Sequence, residues 1–180
     1  MKHSDIAKEK ADIIVVCNNE YLEDDGGGVY GAVNRKSRGT LVEKCRKYIS
    51  TFGPLKVGQI AVTGAGGRLR CKWVIHAVGP DCSYSPDVCK ALLSRAIRET
   101  LAEAERLKVA SIAIPAISTG LFSVSADFTA EAIIDTILGY QFSKNSTLLD
   151  IRIVIIGRQT YSCFAKHLVQ KSAEDPTFVK

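Results

Sequence analysis

Ile13-Ile14-Val15-Val16-Cys17-Asn18-Asn19-Glu20-Tyr21-Leu22-Glu23-Asp24-Asp25-Gly26-Gly27-Gly28-Val29-Tyr30-Gly31-Ala32 is the stretch that decides the fold. Its first five residues are apolar and mostly β-branched, with no polar residue alternating among them. Such a run predicts a strand buried on both faces. Asn18 to Gly28 is polar and then glycine-rich, so it reads as a loop. Gly31 to about Ile49 reads as a helix, with Ala32, Val33, Leu41, Val42 and Cys45 at its apolar positions and Gly39 weakening or splitting it. A doubly buried strand, a loop and a helix are the opening of an α/β fold.

The same alternation continues outward. Gln59 to Thr63 and Lys72 to Val78 read as strands joined by the turn Gly64-Ala65-Gly66-Gly67, which makes that pair antiparallel. Leu92, Leu93, Ala96, Ile97, Leu101, Ala104 and Leu107 recur at helical spacing between about Asp87 and Leu107. Ser111-Ile112-Ala113-Ile114 is a strand ending at Pro115. A helix through Ala130, Ile133, Ile134, Ile137 and Leu138 follows. Ile151 to Ile156 is the last strand, and Tyr161, Phe164, Ala165 and Leu168 mark the last helix. Alternating strands and helices imply a largely parallel sheet covered on both faces. The tail after Lys171 is expected to be loose.

The chain has 180 residues, 46% of them hydrophobic and 24% charged, which suits one globular domain. Its longest apolar runs, such as Ile13 to Cys17 and Ile153 to Ile156, fall far short of the roughly 20 residues that span a bilayer. Met1 to Asp12 is polar and charged, unlike a signal peptide. These features lead us to expect no membrane partner and a cytoplasmic or nuclear location. The six cysteines include no CxxC pair and no histidine at zinc-ligand spacing, so no metal site and buried or free thiols are expected. The formal net charge of +5 mildly favours anionic partners. Arg35, Lys36, Arg38, Lys44, Arg46 and Lys47 form its densest group, either a solvated helix face or a phosphate-facing rim.

In open α/β sheets, ligands bind outside the carboxyl ends of strands. Two loops in such places stand out. In the first, Gly26-Gly27-Gly28 allows a close approach of backbone to ligand, and the following helix N-terminus adds positive potential. It is either a phosphate cradle or a flexible turn. The second, Pro115-Ala116-Ile117-Ser118-Thr119-Gly120-Leu121-Phe122, is small and hydroxyl-bearing. It is either a second phosphate-facing loop or an ordinary connection with a core phenylalanine. Gly64 to Gly67 is no dinucleotide fingerprint, because a strand and not a helix follows it. His76, inside a strand, reads as a hydrogen-bonded sheet histidine rather than a catalytic one.

Asp5-Ile6, Val15 to Asn19, Gly26 to Val29, Val74 to Pro80, and Ile114 to Phe122 occur in the order and spacing of the macrodomain family, which the chain resembles over about residues 4 to 170. The flavour is similar to the macrodomains of macro-type poly(ADP-ribose) polymerases. Gly53-Pro54-Leu55-Lys56-Val57-Gly58 is also similar to coronaviral macrodomains. The resemblance implies a three-layer α/β/α sandwich with a mixed, mostly parallel central sheet. It implies one macrodomain over residues 1–180, ADP-ribose as the ligand and no further cofactor. Asp5 would accept a hydrogen bond from the adenine amino group, with the Ile6 backbone on the same ring. Gly26, Gly27, Gly28, Val29 and Ala32 would line one side of the diphosphate and distal ribose. Ser118, Thr119, Gly120, Leu121 and Phe122 would line the other. Asn19 would bond the distal ribose, and Ile156 would pack near the adenine.

Three positions depart from the family pattern. Val16 stands where hydrolytic members often carry an asparagine, Tyr30 where many cellular hydrolases carry an aspartate, and Ile156 where an aromatic is common. A tyrosine with a pKa near 10 does not orient water as a carboxylate would. The expectation is a reader of ADP-ribose and mono-ADP-ribosylated proteins. The alternative is an ADP-ribosyl hydrolase in which Asn19 and the Gly26–Gly28 backbone position a water. A further alternative is a nucleic-acid module on the basic segment, although aromatic residues are only 7% and do not interleave with it. Only Met1 to Ser4 is left for the strand that the family places before Asp-Ile. This suggests a monomeric domain of a larger protein.

Overall fold

Along β2 (Ile13–Asn18), successive side chains enter opposite cores. Ile13 and Val15 belong to one apolar cluster, Ile14 and Val16 to the other, and all four are fully buried. Both faces of the pleat are therefore covered, which explains the absence of a polar alternate in the strand. β4 (Trp73–Val78) repeats the pattern, with Ile75 and Ala77 on the first side and Val74 and Val78 on the second.

The helices divide between these two sides. Leu93, Ile97 and Leu101 of α3 (Pro86–Arg106), Ala130 and Ile133 of α4 (Ala126–Leu138) and Phe164 of α5 (Arg158–Glu174) pack into the first cluster. Tyr30 and Val33 of α1 (Gly28–Lys36) and Leu41 and Cys45 of α2 (Thr40–Phe52) pack into the second. The result is the expected three-layer α/β/α arrangement. The structure, a computed structural model, describes residues 1–23 and 26–174. Asp24, Asp25 and residues 175–180, most of the tail expected to be loose, lie outside the described residues.

Among the described residues six strands form one sheet in the order β1-β6-β5-β2-β4-β3, where β1 is Lys2–His3, β3 Ile60–Gly64, β5 Ser111–Ile114 and β6 Asp150–Ile155. Neighbours pair in parallel except β3 and β4, which are antiparallel around the Gly64 turn as expected. β2 and β4 run in register from Ile13 opposite Trp73 to Asn18 opposite Val78.

Two boundaries differ from expectation in ways that matter. The helix expected from Gly31 is split at Gly39, one of the two effects expected of that glycine, and begins earlier than expected. α1 starts at Gly28, and Gly39 takes a left-handed φ of 76° at the cap of α2. The last strand ends at Ile155, so Ile156 leaves the sheet and stands on the surface, 70% exposed. The strand expected ahead of Asp5 is present as the two-residue β1, opposite Val154 and Ile155. Central β2 has β4 on one side and β5 on the other. The connection after β2 runs to helices on one face, and that after β5 to a helix on the other. This is a topological switch point, where a crevice opens at the carboxyl ends.

Candidate functional site

A cleft of about 640 Å³ lies at that switch point, within the range of small-molecule sites. The β2–α1 loop and the start of α1 make one wall, with Asn19, Glu23, Gly27, Gly28, Val29 and Ala32. Ala116 and Ser118 to Phe122 make the other wall. Asp5, Ile6, Ile156, Gly157 and Thr160 close one end.

Asn19 shapes the first wall. Its Oδ1 accepts from the backbone N–H of Tyr21 (3.1 Å) and of Glu23 (3.0 Å), and its carbonyl accepts from Leu22 N (3.1 Å). The loop is thereby curled, and Leu22, only 2% exposed, plugs into the core beneath it. Gly28 has a φ of +56°, and no atom lies within 4 Å of where a Cβ would stand. The cap of α1 is Gly27, which brings no side chain to the helix start. Backbone N–H groups at such an end suit an anion.

The opposite wall holds a strained residue. Ser118 has a φ of +69°, rare for anything but glycine, and is 3% exposed. Its Oγ is buried and has no hydrogen-bond partner among the described residues. Gly79 backs the loop: a Cβ there would meet Ser118 Oγ at 2.2 Å and Ile117 Cγ2 at 2.7 Å. Thr119 Oγ1 donates to Ala116 O (2.8 Å), and Cys82 N donates to Phe122 O (3.0 Å), holding the loop from both ends. Leu121 is 71% exposed at the rim.

At the closed end Asp5 caps a 3₁₀ turn over Ile6–Lys8, its Oδ1 accepting from Ala7 N at 2.9 Å. The floor beside the cleft is a buried polar chain. Asn18 Oδ1 only accepts, so His76 Nδ1–H donates to it (2.9 Å), and Nε2 accepts from the Thr63 hydroxyl (2.9 Å). Burial pushes the His76 pKa down to about 3, so the ring is neutral. It is the hydrogen-bonded sheet histidine read from the sequence. Tyr30 also lines the cleft, but its side chain reaches into the second core. Its ring packs edge-on to His76 at 5.8 Å, and its hydroxyl donates to Cys45 Sγ at 3.5 Å.

Every residue expected at the ligand lines this cleft except Gly26. The Gly26 carbonyl instead accepts from Arg35 Nη1 at 3.0 Å, which ties the loop to α1. Arg35, expected only as part of the basic segment that is either a solvated face or a phosphate-facing rim, itself lines the cleft. Its spacing offered the clue, since positions 28, 32 and 35 share one helix face. The basic segment does not act as one face. Arg35 faces the cleft, while Lys44 Nζ donates to the Gly64 (2.7 Å) and Ala65 carbonyls. Arg38, Arg46 and Lys47 are exposed to solvent. Among the described residues no group of three or more His, Cys, Asp or Glu is placed to hold a metal, and no helix is long and apolar enough to cross a membrane.

The Macro domain family model matches residues 15–133. The chain belongs to the macrodomain family. An uncharacterized protein of Pyrobaculum aerophilum is 41% identical over 172 residues, covering 93% of this macrodomain and 91% of that protein. The human protein mono-ADP-ribosyltransferase PARP14 is 34% identical over 169 residues, covering 92% of this chain but 9% of that protein. The Oceanobacillus iheyensis macrodomain with MES bound superposes with a TM-score of 0.84 at 29% identity, covering 93% of this chain and 90% of that one. A variant of the same macrodomain with ADPR gives a TM-score of 0.82 at 28% identity, covering 93% and 91%.

Proposed function

We propose that this macrodomain binds ADP-ribose in the cleft and reads it free or attached to proteins. The observation that carries the reading is the pairing of the two walls. One is a glycine-capped helix start open at Gly28, and the other is the loop from Ser118 to Phe122 at the carboxyl end of β5. Both suit one diphosphate between them. The Oceanobacillus iheyensis structures with ADP and with ADPR support the same ligand class. Asp5, already committed by one oxygen to Ala7 N, offers its other oxygen to an adenine amino group. Ile156, exposed on the rim, gives aliphatic packing where an aromatic would stack. Residues 1–180 act as one such module.

Calorimetric titration with ADP-ribose tests this directly. Micromolar binding that is lost in Gly28→Glu supports the site, and a folded parent without binding removes it.

A second reading, hydrolysis of a mono-ADP-ribosyl bond, has one observation in its favour. Glu23, a carboxylate-bearing residue, lines the cleft, whereas the Tyr30 ring packs against His76. Loss of label from an ADP-ribosylated protein over time, abolished in Glu23→Gln and in Asn19→Ala, would establish it. Stable label with intact binding leaves the reader.

A further inference from the structure

Glu9 is a carboxylate almost removed from solvent, 7% exposed, and does not itself line the cleft. Its Oε1 accepts from the Ser4 hydroxyl at 2.8 Å. Its Oε2 accepts from Lys2 Nζ at 3.0 Å and Arg152 Nη1 at 3.3 Å. These partners come from β1, from the residue after it and from β6. Burial by itself would raise the carboxyl. The hydrogen bonds from Lys2, Ser4 and Arg152, with the charge of Lys2, outweigh it and hold the pKa below the ordinary carboxylate value. Arg152 also donates to the Lys10 carbonyl at 2.8 Å, so the guanidinium grips the chain on the far side of Glu9.

The contact from Ser4 to Glu9 closes a ring around Asp5, Ile6, Ala7 and Lys8. Ser4 is fixed on its other side, where its N–H donates to the Ile155 carbonyl at 3.1 Å. One residue back, His3 Nε2 lies 3.0 Å from the Ile156 carbonyl. A carbonyl only accepts, so Nε2 carries the proton. The segment carrying Asp5 and Ile6 is thus tied across its ends by Ser4 and Glu9, and its start is fixed to the end of β6 beside Ile156.

We propose that Glu9 is a positioning residue for the base-reading end of the cleft, holding Asp5 and Ile6 where an amino-bearing purine is recognised. This rests on the ADP-ribose reading above and adds selectivity to it. Without the ring, Asp5 keeps its cap to Ala7 and the turn keeps the bonds from Lys8 N to Asp5 O and from Glu9 N to Ile6 O, but nothing ties the turn to Ser4, and the diphosphate walls are untouched.

The test is calorimetric titration of ADP-ribose and of its hypoxanthine analogue, inosine diphosphate ribose, against the parent, Glu9→Gln and Ser4→Ala. The analogue replaces the donating amino group by an oxygen. The parent is expected to prefer ADP-ribose by roughly tenfold or more, the scale of one hydrogen bond to a charged acceptor. In both variants the preference is expected to fall toward unity while both ligands still bind through the diphosphate. An unchanged preference, including one in which both affinities drop by the same factor, overturns the role of Glu9 and leaves the ADP-ribose reading standing. A parent that binds neither ligand, or binds both equally, overturns the reading of the base end and the role of Glu9 with it. If Glu9→Gln does not fold, Ser4→Ala, at a residue that itself lines the cleft, is read together with Lys2→Ala, which removes a Glu9 contact from outside the cleft, and the role stands only if the preference falls in both.

Discussion

His76 Nδ1 sits 2.9 Å from Asn18 Oδ1, joining the centre of β4 to the last residue of β2 at the lip of the cleft. The ring is fully buried and its other nitrogen is occupied by Thr63. Protonation would put an uncompensated charge into the second core and place two donors where Thr63 now donates.

That relationship sets a pH dependence. Burial lowers the folded-state pKa of His76 to about 3 from the 6.5 of an exposed imidazole. The unfolded chain therefore binds a proton that the folded chain refuses. Stability from this group is complete above about pH 6.5 and falls as the pH drops toward 3. Between pH 7 and pH 5 the loss is about 2 kcal/mol. Urea unfolding at the two pH values measures it, and a change under about 0.5 kcal/mol would mean that the ring is protonated in the native state.

Gly28→Glu separates binding from stability. No atom crowds the position, so the cost to folding is only the left-handed φ of +56°, about 1–2 kcal/mol. The carboxylate would occupy and repel the place of the diphosphate. Titration is expected to show no ADP-ribose binding by a protein that still unfolds cooperatively.

Asn19 has two tasks that Asn19→Asp divides. The substitution keeps the oxygen that accepts from Tyr21 N and Glu23 N, so the loop and the melting temperature are expected to survive. It replaces the amide donor by a negative charge beside the anionic ligand, and affinity is expected to fall at least tenfold. Asn19→Ala, which removes both cap contacts, is expected to lose about 1 kcal/mol of stability as well. Equal affinity in Asn19→Asp and the parent would take Asn19 out of the ligand shell.

Gly79→Ala tests the second wall from behind. The new methyl would stand 2.2 Å from Ser118 Oγ and 2.7 Å from Ile117 Cγ2, so the loop must move. A loss of about 1–3 kcal/mol is expected from overpacking, together with weaker ADP-ribose binding because Ser118 to Phe122 shift. Thermal melts and titration on the same sample read both. Undiminished affinity would separate this wall from the site.

The alternation of buried strands and helices, the mixed sheet and the two loops at carboxyl ends were all legible in the residues. The pattern of Ile13 to Cys17 announces two covered faces because side-chain direction along a strand has a period of two. The glycines and Ser118 to Phe122 were legible because backbone freedom and hydroxyls are written in single residues. What contact across the chain decides was not. Gly26 looks like its neighbours in sequence, yet it does not line the cleft, and its carbonyl accepts from Arg35. Tyr30 stands where a carboxylate would face the ligand, but the second core accepts its ring against His76, and it turns inward. Val16 was flagged for the asparagine it replaces, while the structure gives the polar place to Asn18 and pairs it with a histidine 58 residues away. Glu9 carries no motif, and its role depends on Lys2, Ser4 and Arg152 arriving from two strands. Periodicity and local backbone preference act over a few residues and so can be read along the chain. The direction of a polar side chain is set by whichever partner the fold brings within about 3 Å, and only the tertiary structure chooses that partner.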